Sequence, residues 1–329
     1  MKLLKLIPDN TNIHFLKWRV PFYIVSLLLM AASIGLVATK GLNFGVDFVG
    51  GQMIRVTFDA ASAKPAAAPV AQLREDVAKL GYGEPIIQQF GKPNEVSIRM
   101  KLPHGSDNDA GLADAMARKI TSEVKAKHPG ARIDGIDSVS GKVSKELGWT
   151  AFQALGLAAL GVAAYIWIRF EWQFGVGALF SLIHDVTLTL GLFALTQMEF
   201  DLNIVAALLT LIGYSLNDTI VVYDRIRENL KKFRRMPLPE LLDLSVNETL
   251  SRTIVTSLSM LITLVALLVL GPNVIFGFTA AITLGIFVGT YSSIYMAAPI
   301  LIWLKVTSKS FVPTETETDR QERLAREQG

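Results

Sequence analysis

The chain has 329 residues, 51% of them hydrophobic and only 19% charged, with a mean hydropathy of +0.39. That composition belongs to membrane proteins and excludes an ordinary soluble domain. The absence of cysteine excludes disulfides, thiolate metal sites and cysteine nucleophiles, and the net charge of +3 conceals a strong asymmetry along the chain.

After an N-terminal segment, residues 1–19, Val20–Thr39 has no charged residue and enough length for a first membrane span. Its apolar core is too long for a cleavable signal peptide, and no small-residue cleavage site precedes Lys40. Gly45-Val-Asp-Phe-Val-Gly-Gly51 follows. Gly45, Gly50 and Gly51 permit backbone angles closed to other residues, and Asp47 can hydrogen-bond its own turn, so a tight membrane-to-domain turn is expected.

Residues 40–146 then have the size of one small domain. Gln52–Asp59 alternates as a strand should, Ala63–Pro69 is a small-residue linker, and Val70–Leu80 has helical spacing. Ile86–Phe90 and Glu95–Leu102 read as strands separated by a Gly-Lys-Pro-Asn turn. Asn108–Lys127 is a helix with Leu112, Met116, Ile120 and Val124 at four-residue steps, and Arg132–Val139 is a last strand. The order βαββαβ predicts a ferredoxin-like α+β sandwich. It carries no catalytic constellation, and His104 and His128 are expected as solvated loop residues.

Five more spans follow: Leu147–Ile168, Phe174–Gln197, Leu202–Tyr223, Thr253–Leu270 and Val274–Leu304. The fold class is thus a polytopic α-helical membrane protein with six transmembrane helices and one external domain between the first two. The last window is longer than a span requires, so tilt or a kink near Pro299 is expected. Gly277, Ala281, Gly285 and Gly289 form a stripe that allows close approach of another helix. The connection 224–252 is rich in Lys and Arg, and its part Glu240–Ser251 lacks Gly and Pro and can extend the fifth helix. Basic residues there, in the N-terminus and in the tail 305–329, against none in Met198–Asp201 and Gly271–Asn273, put both termini in the cytoplasm and residues 40–146 outside. The charged tail is expected to be flexible.

Asp218, with Asn217 beside it, lies within the fourth span. Ionisable groups at such depth cost ~3 kcal/mol or more and usually face a bundle interior or a polar path. Tyr214, Ser215 and Arg225 share its helical face. At about 1.5 Å per residue, Asp218 lies roughly 10 Å from the cytoplasmic end and Asp185 about halfway across the third span. Asp185 can be a helix-packing hydrogen bonder held by His184 or a Thr, or a member of a proton path. Arg252, at the head of the fifth span, can snorkel to the lipid surface or serve as counter-charge to Asp218.

Four segments together carry a family likeness. Gly45–Gly51 (GVDFVGG), Arg169–Val186 (RFEWQFGVGALFSLIHDV), Gly213–Asn229 (GYSLNDTIVVYDRIREN) and Leu250–Ser257 (LSRTIVTS), in this order, resemble the SecD/SecF family of bacterial protein-export subunits, in its smaller, SecF-type branch. The resemblance implies half of a resistance-nodulation-division (RND) type bundle in the bacterial inner membrane, with SecD supplying the other half. It implies use of the proton-motive force to pull an unfolded preprotein outward after the SecYEG channel and the SecA motor have started it, with YajC and YidC as further partners. Membrane lipids and protons are the other ligands; no cofactor, metal, nucleic acid or enzymatic activity is implied. The family's essential membrane charges match Asp218 and Arg252, and its signature turn matches Gly45, Asp47, Gly50 and Gly51. A small-molecule exporter would need an aromatic-lined pocket that the external domain does not suggest. A passive scaffold accounts for everything except Asp218 and Arg252. Phosphate-loop motifs are absent.

Overall fold

The computed structural model describes residues 11–58, 67–89, 92–101 and 110–306. A 3-10 turn, Phe15–Trp18, leads into helix α1, Arg19–Lys40. The connection to the domain holds a short strand β1, Asn43–Phe44, and a single helical turn α2, Val46–Val49. The domain comprises β2 (Gly51–Phe58), α3 (Val70–Ala78), β3 (Ile86–Gln89), β4 (Glu95–Met100), α4 (Ala110–Lys127) and β5 (Ala131–Val139). Helices α5 (Gly141–Arg169) and α6 (Trp172–Thr196), strand β6 (Glu199–Phe200), and helices α7 (Leu202–Lys232), α8 (Leu238–Leu270) and α9 (Phe276–Ser292) follow. The chain then passes through a π turn, Ser293–Ala297, into α10, Ala298–Trp303.

The domain sheet runs β3-β4-β2-β5, every pair antiparallel. With two helices on one face this is the ferredoxin-like arrangement. Period-two alternation decides the faces: Ile54, Val56, Val96 and Ile98 pack against Leu73, Val77, Met116 and Ile120 in one core. The opposite face presents Arg55, Ser97 and Arg99 toward the membrane helices. Asp59, residues 63–66 of the linker, Phe90, Leu102, His104, the helix start at Asn108 and the tail 307–329 lie outside the described residues. His128 differs from expectation. It sits at the end of α4 with its ring edge-on to Phe58, centroids 5.5 Å apart, and 3.4 Å from Asp76, because the last turn of α4 packs back on the sheet.

Among the described residues, six helices are long and apolar enough to cross a membrane. Their burial separates inner from outer members. Half or more of the apolar stretch of α6 and α7 is buried, against 17%, 11% and 17% for α1, α5 and α8. Helix α7 packs on α9, and the small-residue stripe explains how closely. Gly285 lies against Leu211, and Gly289 against Ser215 and Asp185. At about 1.5 Å per residue, α7 and α8 are each over 45 Å long, well beyond the ~30 Å hydrocarbon core. The connection 224–252 is consequently a helical hairpin rather than an irregular loop, turning at Phe233–Pro237. Arg225 bonds Glu248 across it (2.6 Å). The regular α-helix of the last span is interrupted by the π turn just before Pro299, which has no N–H to continue the ladder.

Candidate functional site

The intramembrane carboxylates sit where α6, α7, α8 and α9 meet. Asp218 on α7 is 8% exposed. Thr253 Oγ1 on α8 donates to its Oδ1 at 2.7 Å, and Ser293 Oγ, the first residue of the π turn, donates to its Oδ2 at 2.8 Å. One carboxylate therefore ties three helical segments together through hydroxyls alone. Hydroxyls both donate and accept, so they suit a charged or a neutral carboxyl equally.

Asp185 on α6 is fully buried, as is His184. Ser215 Oγ on α7 donates to Asp185 Oδ2 at 2.5 Å, and Ser292 Oγ on α9 donates to the same oxygen at 3.0 Å. His184 Nδ1 lies 2.9 Å from Asp185 Oδ1, and His184 Nε2 lies 2.8 Å from the Tyr291 hydroxyl. Thr189 donates to the backbone carbonyl of Asp185 and not to its carboxylate. The two acids thus engage consecutive serines at the point where α9 gives way to the π turn. Two further hydroxyls close that turn: Tyr23 donates to Met296 O at 2.7 Å and Tyr223 to Ala297 O at 3.0 Å. A π turn offsets the regular carbonyl ladder, and such turns concentrate at functional sites.

The remaining expected residues fall elsewhere. Arg252 precedes Thr253 but is exposed, and among the described residues no ion pair joins it to Asp218. Asn217 is exposed on the outer side of α7. Arg225 pairs with Glu228 and Glu248 instead of approaching Asp218. The sequence reading named Ser215 and His184 but missed Thr253, Tyr291, Ser292 and Ser293. Hydroxyls are common in spanning helices, and only helix packing selects those that touch an acid.

The glycine turn is tied to the same helix. Asp47 does not bond its own turn; its Oδ2 accepts from Leu202 N at 3.0 Å, capping the N-terminus of α7. Asp201 caps the same terminus through Ile204 N at 3.1 Å. The backbone swerves at Gly50 and Gly51, with φ of +71° and +112°. A Cβ on Gly51 would lie 2.3 Å from Met100 O, so only glycine fits. Strands β1 and β6 pair in parallel beside this turn, and Gly45 N donates to Phe200 O at 2.9 Å. Arg99, almost fully buried, reaches across from the domain sheet: its Nη1 donates to Phe44 O at 2.6 Å and its Nη2 to Asn43 Oδ1 at 3.1 Å. Glu199 lies 3.7 Å from it. A cleft of about 370 Å³ opens at this corner, lined by Arg55, Gln88, Glu199, Asp201, Asn273 and Phe278 among others. Burial raises the Glu199 carboxyl above the ordinary range despite the nearby Arg99, and burial likewise raises Asp201.

Comparison with known proteins points one way. Residues 119–307 match the family described as "Protein export membrane protein SecD/SecF, C-terminal", and residues 35–62 match the "SecD/SecF GG Motif". The protein translocase subunit SecF of Rhodobacter capsulatus is 42% identical over 310 residues, 92% of this chain and 91% of that protein. Its counterpart in Cereibacter sphaeroides is 46% identical over 305 residues, 92% of this chain and 93% of that protein. Among solved structures, SecDF of Thermus thermophilus, described as a translocon-associated membrane protein, superposes with a TM-score of 0.81 at 33% identity. That match takes in 91% of this chain but only 40% of the SecDF chain.

Proposed function

This chain belongs to the SecD/SecF family of protein-export membrane proteins, as a multi-pass, SecF-type translocase subunit, and on that premise we propose that it promotes late preprotein translocation by coupling proton entry at Asp218 to movement of its domain. The observation that carries the reading is the Asp218 carboxylate itself, buried between helices and held by Thr253 and Ser293. As a carboxylate it accepts from both hydroxyls. As an acid it keeps one acceptor position and must donate from the protonated oxygen, so one hydroxyl has to reverse its bond. Each change of state therefore alters how α7 grips α8 and the π turn, a local charge event of the kind that biases a two-state element. The energy source is sufficient, since one charge crossing 100 mV releases about 2.3 kcal/mol.

Arg252 is assigned as the counter-charge that favours the ionised state when α8 moves, with Asp185 and Asn217 completing the proton path. The Asp47 cap on α7 and the turn Gly45–Gly51 transmit motion to the domain. Orientation follows the basic loops: the domain is periplasmic, and both termini are cytoplasmic in a bacterial inner membrane. SecD is the partner that completes the bundle. Its place is supported by the exposed stripe Ala206, Thr210, Gly213 and Asn217 on α7, which is too polar and too small to be favoured against lipid. SecYEG, YajC and YidC are the surrounding machinery, and the unfolded preprotein is the substrate.

The experiment is secretion of a signal-sequence-bearing reporter in cells depleted of the native subunit and complemented at matched levels with wild type or Asp218→Asn. Wild type should restore export and the variant should not. Equal export from the two would discard the proton mechanism and leave a scaffold.

A further inference from the structure

Asp185 has a place in the proton path proposed above but His184 has none, and the two side by side form a fully buried pair of ionisable groups inside the bundle. With Asp185 ionised and His184 neutral, all contacts are satisfied: Nδ1–H donates to Asp185, and Nε2 accepts from the Tyr291 hydroxyl. Adding one proton at Nε2 requires only that Tyr291 rotate its O–H. Its oxygen then accepts from the imidazolium and its hydrogen turns toward Ser26 Oγ, 3.4 Å away. The site thus has a built-in way to gain or lose a proton without leaving a buried group unpaired.

Its surroundings contain few competing charges. Around it are Ser26 from α1, Ser215 from α7, and Tyr291 and Ser292 from α9, while Asp218 of α7 is held by the next serine, Ser293. Tyr23 and Tyr223 are engaged with Met296 O and Ala297 O, and Tyr295 stacks on Phe22. Among the described residues no Lys or Arg makes an ion pair with either acid. Arg252 acts on Asp218 through space without an ion pair.

We propose that His184 and Asp185 together form a second proton-binding site, coupled to Asp218 through the adjacent serines Ser292 and Ser293. Position along the membrane gives the order of use. At about 1.5 Å per residue, Asp185 lies roughly 16 Å from the domain-side end of α6 and Asp218 roughly 24 Å from that of α7. A proton entering from the domain side meets His184 and Asp185 first. Charging or neutralising that site changes the pull on Ser292, and with it the position of Ser293 against Asp218. The two sites then titrate as a pair and not as independent residues.

The inference rests on Asp218 being a proton-binding residue, and its test reads a different signal. The full chain, labelled with nitrogen-15 histidine and embedded in lipid bilayers, is titrated while the imidazole nitrogens are followed by NMR. Only four histidines are present, and His184→Asn identifies the signal of interest. The His184 ring signals are expected to report a change of protonation in the course of the titration. Asp218→Asn, or Ser293→Ala if the first variant does not fold, is expected to move its midpoint by about one pH unit or more. A ring that keeps one protonation state throughout, or a midpoint unmoved by the variants, overturns the proposal. Loss of export in Asp218→Asn with an unmoved His184 midpoint would remove this inference and leave the role of Asp218 standing.

Discussion

Thr253 does for Asp218 what a basic residue does at the surface: it satisfies the carboxylate, but without fixing its charge. Removing that hydroxyl leaves Oδ1 buried with no donor, a loss on the order of 1–3 kcal/mol for an unsatisfied buried group. Thr253→Val should therefore reduce export strongly at normal protein abundance, while Thr253→Ser, which keeps the donor, should retain most of it. Comparable export from the two variants in a secretion assay would show that the hydroxyl is dispensable. Arg252 illustrates the opposite case, since its charge was evident from the sequence but its exposure was not.

Helix pairing depends on a few positions without side chains. Gly177 on α6 faces Tyr223 and the π turn, and a Cβ there would lie 2.2 Å from the Tyr223 hydroxyl and 3.1 Å from Ala297 O. Tyr223 is fully buried among Phe170 and Phe174 and has no room to retreat. Gly177→Ala should thus displace the π turn and destabilise the fold by about 1–3 kcal/mol, the usual range for overpacking. Thermal unfolding of the purified variant in detergent checks this, and an unchanged Tm would mean that α6 shifts freely. The need for close packing here was hidden, because Gly177 lies outside the four-residue stripe that marks α9.

Across the molecule, the corner formed by Arg99, Glu199, Asp201 and Asp47 joins the domain to the bundle. Burial raises both Glu199 and Asp201 in the folded state, so each binds its proton more tightly there than in the open chain. The folded form then holds more protons in the window above their ordinary values of 4.5 and 3.8. Stability contributed by these groups rises as pH falls through that window and is lost as pH rises. The corner should tighten on mild acidification, measured as slower hydrogen exchange at Gly45 and the β1–β6 ribbon. Glu199→Gln should flatten that dependence, and a pH profile identical to wild type would exclude Glu199 as its source.

The sequence by itself determined the number of spanning helices, the ferredoxin-like order of the domain, the glycine turn and the buried acids, because each depends on local pattern. Length and hydropathy mark a span, period-two alternation marks a half-buried strand, and a lone carboxylate in an apolar run is conspicuous wherever it packs. Tertiary structure alone decided which groups those acids touch. Thr253 lies 35 residues from Asp218, Ser293 lies 75, and Tyr291 lies 107 from His184. The same separation hid the Asp47 cap on α7, 155 residues away. Such contacts depend on how helices rotate and cross when their small residues interlock, and no periodicity within one helix records the angle at which it meets another.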